Sequence, residues 1–172
     1  MAFTERFSDF VCEGDCIACE QDGVRIVARI VRDDCPDAPE FRGSENAPVE
    51  RFPEGRQDGF WPSLYKEAPG FIGPGNNFRE RFARAQAESE AVMEAWRRDD
   101  WFYCGIVLSV SLDGVILDEH AISLWGVEAN YPGSDNAHLT EAADELLADA
   151  IAIGLKAAQR LCATLARLEA RA

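Results

Sequence analysis

Four cysteines near the start of the chain have the residue type and spacing that could bind a metal ion. They are Cys12, Cys16, Cys19 and Cys35, and thiolates at short spacing can hold a tetrahedral zinc ion. Cys16 and Cys19 are separated by an odd number of positions in a strand-like segment, so a regular strand would place them on opposite faces. Two interpretations stay open, a small zinc-binding module and ordinary reduced thiols, and the spacing favours the thiols.

The histidines are the candidates for acid–base chemistry, and the chain has only His120 and His138. His120 follows Glu119, and the two could join a serine in a nucleophilic triad. The candidate serines are Ser109, Ser111 and Ser123. No nucleophile-elbow pattern accompanies these residues, so a small hydrolase is an alternative function that ranks behind binding functions.

Acidic side chains are concentrated in two parts of the sequence. One group lies near the start of the last helical segment, and no basic residue stands between its members. These are Glu141, Asp144, Glu145 and Asp149. The other lies in residues 33–58 and includes Asp33, Asp34, Asp37 and Glu40. Positions 141, 145 and 149 share one face of a helix. The group predicts either a solvated face that complements the helix dipole or a surface that binds a basic partner.

The overall charge narrows the possible partners. The chain has 172 residues, with 31 acidic and 17 basic side chains and a formal charge of −14. Such a charge repels nucleic acids and anionic membranes and attracts basic protein surfaces, so we expect no direct nucleic-acid binding and no membrane binding. The start of the chain, MAFTERFSDF, lacks the basic and apolar regions of a signal peptide. A cytoplasmic location is therefore expected.

Two Asp-Gly pairs predict β-hairpins. Asp22-Gly23 lies in GDCIACEQDGVRIVARIVRDD, and Asp113-Gly114 joins WFYCGIVLSVS to VILDEHAISLWGVE. Both pairs are flanked by alternating apolar residues, as expected for strands with one buried face. The alternation changes parity near Asp118 to His120, which predicts a β-bulge there.

Two helices and a long irregular segment complete the predicted fold. The segment at about 34–76 is rich in proline and aromatic residues, and a helix is expected to follow Asn77. Pro132-Gly133 turns the chain into the last helix, which Asn136 or Ser134 would cap. The result is a single domain of α+β class, a four-stranded antiparallel sheet from two hairpins with two helices packed on it, in the order ββ-(long irregular segment)-α-ββ-α.

The last helix has an apolar stripe that continues to the end of the sequence. Its members are Leu147, Ile151, Gly154, Ala158, Leu161, Leu165 and Leu168. A helix of about 30 residues would span about 45 Å, which is longer than a small sheet can cover. The far end is therefore expected to form a homodimer through the C-terminal helix.

Two stretches of the sequence resemble a family of small acidic proteins from tailed phages and prophages. They are DDWFYCGIVLSVSLDG and SLWGVEANYPGSDNAHLTEAADELL, and the resemblance also extends to the hairpin CEQDGVRIVARIVRDD. The resemblance implies a mobile-element setting and no particular activity. Together with the charge, it suggests a non-enzymatic protein that binds a basic host or defence protein, as an inhibitor of anti-CRISPR or anti-restriction type.

Overall fold

The computed structural model describes residues 2–34, 87 and 91–171. The chain divides into two compact units, one formed by Met1–Asp33 with Phe102–Ala172 and the other by Asp34–Trp101. Most of the predicted irregular segment lies outside the described residues, as do Asn77 and the candidate site residues Cys35, Asp37 and Glu40.

The first unit contains an open four-stranded antiparallel sheet. Its strands are β1 (Cys16–Gln21), β2 (Val24–Arg32), β3 (Phe102–Leu112) and β4 (Val115–Ala129), in the spatial order β1-β2-β3-β4. Sequential neighbours therefore pair throughout, and β2 and β3 pair although nearly 70 residues separate them in the chain. The structure confirms the α+β class and the sheet made of two hairpins.

Both hairpins turn at the predicted Asp-Gly pairs. Asp22 and Gly23 have φ angles of 52° and 78°, and Asp113 and Gly114 have φ angles of 48° and 82°. Two consecutive left-handed residues make a turn whose twist matches that of the flanking strands. Aspartate and glycine are the residue types that adopt this conformation at least cost.

Strand β4 is bulged where the sequence predicts it. Leu108 pairs with Ile122, but Val110 pairs with Asp118, so β4 contains two more residues than β3 over this stretch. A further irregularity lies near Gly126, which has a φ of 78°. These extra residues bend β4 and change which side chains it presents on each face of the sheet.

One face of the sheet packs against the long helix α2 (Ala137–Glu169) and the N-terminal segment. The largest fully buried apolar side chains of this core are Val11, Ile26, Ile30, Cys104, Ile106, Leu108, Val110 and Leu139. The last buried residue of α2 is Gly154. A Cβ atom added there would lie 2.5 Å from Val110 Cγ1, so glycine allows the close approach of helix and strand that the sequence suggested.

The second unit is described at its C-terminal end, where helix α1 covers residues 91–97. Val92, Met93 and Ala95 are buried, and the indole of Trp101 is fully buried. The Trp101 Nε1 donates a hydrogen bond of 2.9 Å to the Val92 carbonyl, and its ring lies 4.9 Å from that of Trp96. Among the described residues, no helix has the length and apolar character needed to span a membrane.

Candidate protein-interaction surface

Two asparagines fix the position at which α2 begins. The Asn136 Oδ1 accepts a hydrogen bond of 2.9 Å from the Asn130 backbone N–H, and its Nδ2 donates to the Asp9 carbonyl at 3.0 Å and to Asn130 Oδ1 at 2.9 Å. Asn130 in turn accepts from the Val11 N–H at 2.9 Å and donates to the Val11 carbonyl at 2.8 Å. We call this set of hydrogen bonds the asparagine clasp.

The clasp depends on the backbone of both asparagines as well as on their side chains. Asn130 and Asn136 each have a φ of 59°, a left-handed conformation that asparagine tolerates better than most residues. Asn136 is completely buried, so every polar atom of its side chain needs a partner inside the protein. The segment NYPGSDN therefore joins the end of β4, the start of α2 and the N-terminal segment.

The start of α2 differs in two details from the sequence-based prediction. Asn136 is the N-cap residue, but its side chain makes no capping hydrogen bond because it is engaged in the clasp. The Asp135 Oδ1 instead accepts a hydrogen bond of 3.0 Å from the Ala137 N–H. The first turn of α2 contains no acidic residue, so Glu141 and the acids after it lie beyond the turn in which the helix dipole acts most strongly.

The four predicted acidic residues of α2 have two different environments. Glu141, Glu145 and Asp149 are exposed on the outer side of the helix and form no hydrogen bond or ion pair within the part of the chain that the structure describes. Asp144 is also exposed, but its Oδ1 accepts a hydrogen bond of 3.2 Å from the Phe3 N–H. We call Glu141, Glu145 and Asp149 the acidic face. Asp144 instead holds the N-terminal segment.

The N-terminal segment crosses the first turns of α2 beside the acidic face. Phe3 and Phe7 insert into the core, and the Phe7 N–H donates a hydrogen bond of 3.1 Å to Thr140 Oγ1. Together with the clasp, these contacts attach the first half of α2 to the rest of the unit at several points. The carboxylates of the acidic face are therefore presented on a firmly held helix.

Only the first members of the second acidic group can be placed. Asp34 is exposed, whereas Asp33 is half-buried and its backbone N–H donates a hydrogen bond of 2.9 Å to the Tyr103 carbonyl. Burial raises the pKa of the Cys104 thiol to about 12, and the charge of Asp33 contributes to this shift. Asp33 therefore interacts with the edge of the core, and the acidic face of α2 is the better-defined surface.

The cysteines of the predicted metal site face in different directions. Cys16 and Cys12 are exposed, whereas Cys19 lies in the core beside Ile17, with its thiol pKa raised by burial. This is the opposite-face arrangement that the odd spacing predicted. The described residues contain no group of three or more potential metal ligands. Because Cys35 lies outside these residues, zinc binding stays a prediction.

A shallow groove of about 350 Å³ lies on the sheet face opposite α2. Its apolar floor is formed by Val27, Val31 and Val107, and its polar lining consists of Arg25, Arg29, Ser109, Ser111, Glu119 and His120. Sequence analysis did not find this groove. The available signal was the alternation of Arg25 and Arg29 with Val27 and Val31 along one face of β2. Glu119 and His120, at the bulge of β4, complete the lining.

The groove contains His120 and two of the three serines considered for a nucleophilic triad, Ser109 and Ser111. Ser123 does not line it, and the Ser123 Oγ accepts a hydrogen bond of 2.9 Å from Trp125 Nε1. Ser109 Oγ donates to the Val27 carbonyl at 3.5 Å, and Ser111 Oγ donates to the Arg25 carbonyl at 3.4 Å. Within the described residues, neither hydroxyl is hydrogen-bonded to the His120 ring. The structure therefore brings these residues to one face without the nucleophile–base contact that defines a triad.

One partly buried carboxyl group near the clasp should make stability depend on pH. Glu128 is partly buried on β4, and its backbone carbonyl accepts a hydrogen bond of 2.7 Å from His138 Nε2. Burial raises the pKa of the Glu128 carboxyl group above its usual 4.5, and the nearby His138 partly offsets this effect. The charged carboxylate is therefore less favourable in the folded than in the unfolded chain.

We expect Glu128→Gln to stabilise the protein at neutral pH and to have little effect at acidic pH. A raised pKa of an acid favours folding fully below the unfolded-state value, and this contribution is lost as the pH rises through the folded-state value. The free energy of unfolding of the variant would be measured from pH 3 to 8. It should exceed that of the wild type only at pH values above the usual pKa of a glutamate side chain. Glu119→Gln, at an exposed position of β4, controls for loss of one charge. An equal gain at every pH would contradict the assignment.

Comparison of the chain with protein-family models, with curated proteins and with solved structures finds no match.

Proposed function

We propose that the protein is a phage or prophage accessory protein that binds a basic host or defence protein in the host cytoplasm. The target class that fits best is a nucleic-acid-binding defence system, which would make the protein an inhibitor of anti-CRISPR or anti-restriction type. The observation that supports this proposal most directly is the acidic face of α2, with three exposed carboxylates that form no ion pair within the described residues.

The spacing of the acidic face suits a basic protein surface. Glu141, Glu145 and Asp149 follow one another at intervals of four residues, or about 6 Å along the helix axis. Each carboxylate can accept two hydrogen bonds from an arginine guanidinium group, and such charge-assisted pairs are stronger than neutral ones. A nucleic-acid-binding groove presents arginine and lysine side chains at many points, so a row of carboxylates can replace the phosphates that these side chains normally contact.

The way α2 is held supports the same function. Binding costs less free energy when the groups that form the interface are already ordered in the free protein. The asparagine clasp and the contacts of Phe3 and Phe7 fix the first half of α2, so its carboxylates lose little freedom on binding. The formal charge of −14 would also accelerate the encounter with a basic partner, most strongly at low salt.

We also propose that the protein forms a homodimer through the C-terminal part of α2. A symmetric pair would carry two acidic faces. Two faces engaging one multisubunit target, or two copies of a target, would increase the apparent affinity without any new contact.

The triple substitution Glu141→Lys, Glu145→Lys and Asp149→Lys is expected to abolish binding while leaving the fold intact. Purified CRISPR effector complexes and restriction endonucleases would be passed over the immobilised protein at low and at high salt. Because each reversal replaces an attraction with a repulsion, we expect a loss of affinity on the order of 100-fold or more. Retention of the wild type should also decrease as salt increases.

A matched control changes the same number of charges elsewhere. Glu13, Glu20 and Glu119 are exposed carboxylates outside α2 and outside the segment from Phe3 to Phe7 that crosses it, and their replacement by lysine gives the same total charge as the test variant. This control should keep most of the binding. Equal losses in both variants would show that total charge matters and not the acidic face, and unchanged binding of the test variant would disprove the site. A phage plaque assay with a strain expressing each variant measures the same difference in cells.

A further inference from the structure

The second half of α2 extends beyond the core of the unit. Gly154 is its last buried residue, and we call residues 155–171 the C-terminal arm. The arm is about 25 Å long at 1.5 Å per residue. Four of its leucines are exposed to solvent. The exposed fraction is 54% for Leu155, 47% for Leu161 and 58% for both Leu165 and Leu168. Such a concentration of exposed leucines marks an interaction surface.

The apolar stripe of the arm continues the stripe that packs on the sheet. Leu147, Ile151 and Gly154 face the core, and the same alternation of four and three residues continues through Ala158, Leu161, Leu165 and Leu168. This spacing is the heptad pattern of helices that pair along their length. The sequence of the arm therefore specifies a helix partner in the same way as the first half of α2 specifies the sheet.

The charge of the arm is opposite to that of the rest of the protein. The arm contains Lys156, Arg160, Arg167 and Arg171 but only one acidic residue, Glu169, whereas the whole chain has a charge of −14. A basic partner of the kind proposed for the acidic face would be repelled by the arm. A second copy of this chain offers both a matching apolar stripe and an acidic body toward which the basic arm is attracted.

We propose that two copies pair through their arms as an antiparallel two-helix coil around a two-fold axis. One register places all four arm positions of the stripe against each other. In it, Leu161 of each copy packs on Leu165 of the other, and Ala158 packs on Leu168 of the other. In each of these pairs, a residue at one of the two apolar heptad positions packs against a residue at the other, as in an antiparallel coiled coil. The same patch serves both copies, as two-fold symmetry requires.

The proposed register makes one further contact that can be tested. Cys162, which is exposed beside the stripe, comes close to the two-fold axis and therefore to Cys162 of the second copy. Residues 171 of the two copies lie at opposite ends of the coil, about 24 Å apart along its axis. The proposal does not depend on the proposed binding of a defence protein, because Glu141 and Glu145 take no part in the pairing.

Sedimentation equilibrium of the full chain tests the dimer. The expected mass is twice the 19.0 kDa of one chain. Leu161→Glu with Leu165→Glu should weaken association on the order of 1,000-fold, because it removes four buried leucines from each dimer. Gln159→Glu with Ala163→Glu adds the same charge to exposed positions of the arm off the stripe and should leave the dimer intact. A monomer at every concentration, including one that binds DNA or another protein through its arm, would overturn the proposal.

Cross-linking tests the orientation. In a background with Cys12, Cys16 and Cys35 changed to serine, a bismaleimide reagent of about 8–10 Å should join two chains through Cys162, since this span matches the separation of paired helices. In the same background with Cys162→Ser and Arg171→Cys, the reagent should join few chains, because the two cysteines are far apart in the antiparallel pair. Efficient cross-linking at both positions would show a parallel pair and overturn the proposed register. Circular dichroism of every variant verifies that α2 is folded.

Discussion

Asn136→Ala is expected to lower the free energy of unfolding by roughly 3–5 kcal/mol, from the cost of buried polar groups left without partners and of a left-handed alanine. The substitution leaves the Asn130 N–H and the Asp9 carbonyl without their partners and removes one of the hydrogen bonds to Asn130 Oδ1. It also places a residue with a Cβ atom and no local hydrogen bond at a φ of 59°. Urea unfolding followed by tryptophan fluorescence measures the loss.

Two controls separate the clasp from the backbone conformation. Asn136→Gly keeps the freedom to adopt a left-handed conformation but removes the clasp, so it should recover only the smaller, conformational part of the loss. Asp113→Ala introduces alanine at another left-handed position, with a φ of 48°, on an exposed turn. Its cost should stay near that of the conformation alone. If Asn136→Ala costs no more than Asp113→Ala, the clasp contributes nothing measurable.

Loss of the clasp should also release the N-terminal segment. The Val11 N–H is bonded to Asn130 Oδ1, and the Phe7 N–H to Thr140 Oγ1. In Asn136→Ala, hydrogen exchange at Val11 should accelerate more than exchange at Phe7, because Thr140 is unchanged. The acidic face would remain on its helix but would be presented less rigidly, so binding of a basic partner should weaken although no carboxylate is altered.

Features set by neighbouring residues were the ones predicted correctly from the sequence. The two Asp-Gly turns and the bulge of β4 follow from conformational preferences and alternation within a few residues. The opposite orientations of Cys16 and Cys19 follow from strand geometry alone. The exposed positions of Glu141, Glu145 and Asp149 follow in the same way from helical periodicity.

Features set by distant contacts could not be predicted. The Asn136 side chain bonds to Asp9, 127 residues away, and so is unavailable as a cap, although its sequence context is that of a capping residue. In the sequence, Asp144 is equivalent to the other three acidic residues of α2. Its hydrogen bond with Phe3, which is 141 residues away, distinguishes it from them. The groove on the outer sheet face likewise required the pairing of β2 with β3, whose partners are separated by the whole second unit.

The leucines in the first half of α2 pack in the core, whereas those in the second half are exposed. A pair of leucine substitutions should reveal this difference. Leu139 is completely buried in the core at the start of the helix, whereas Leu165 is 58% exposed on the arm. Leu139→Ala leaves a cavity and should cost about 2–5 kcal/mol of unfolding free energy. Leu165→Ala should cost less than about 0.5 kcal/mol in dilute monomer, since exposed substitutions rarely cost more.

Protein concentration provides the test, because each leucine should affect only one equilibrium. The unfolding loss for Leu139→Ala should be the same at every concentration, whereas that for Leu165→Ala should appear only where the wild type is dimeric. A large, concentration-independent loss for Leu165→Ala would mean that the arm belongs to the fold of a single chain. If the losses separate as expected, the first half of α2 stabilises the unit and holds the acidic face, and the second half associates with another copy.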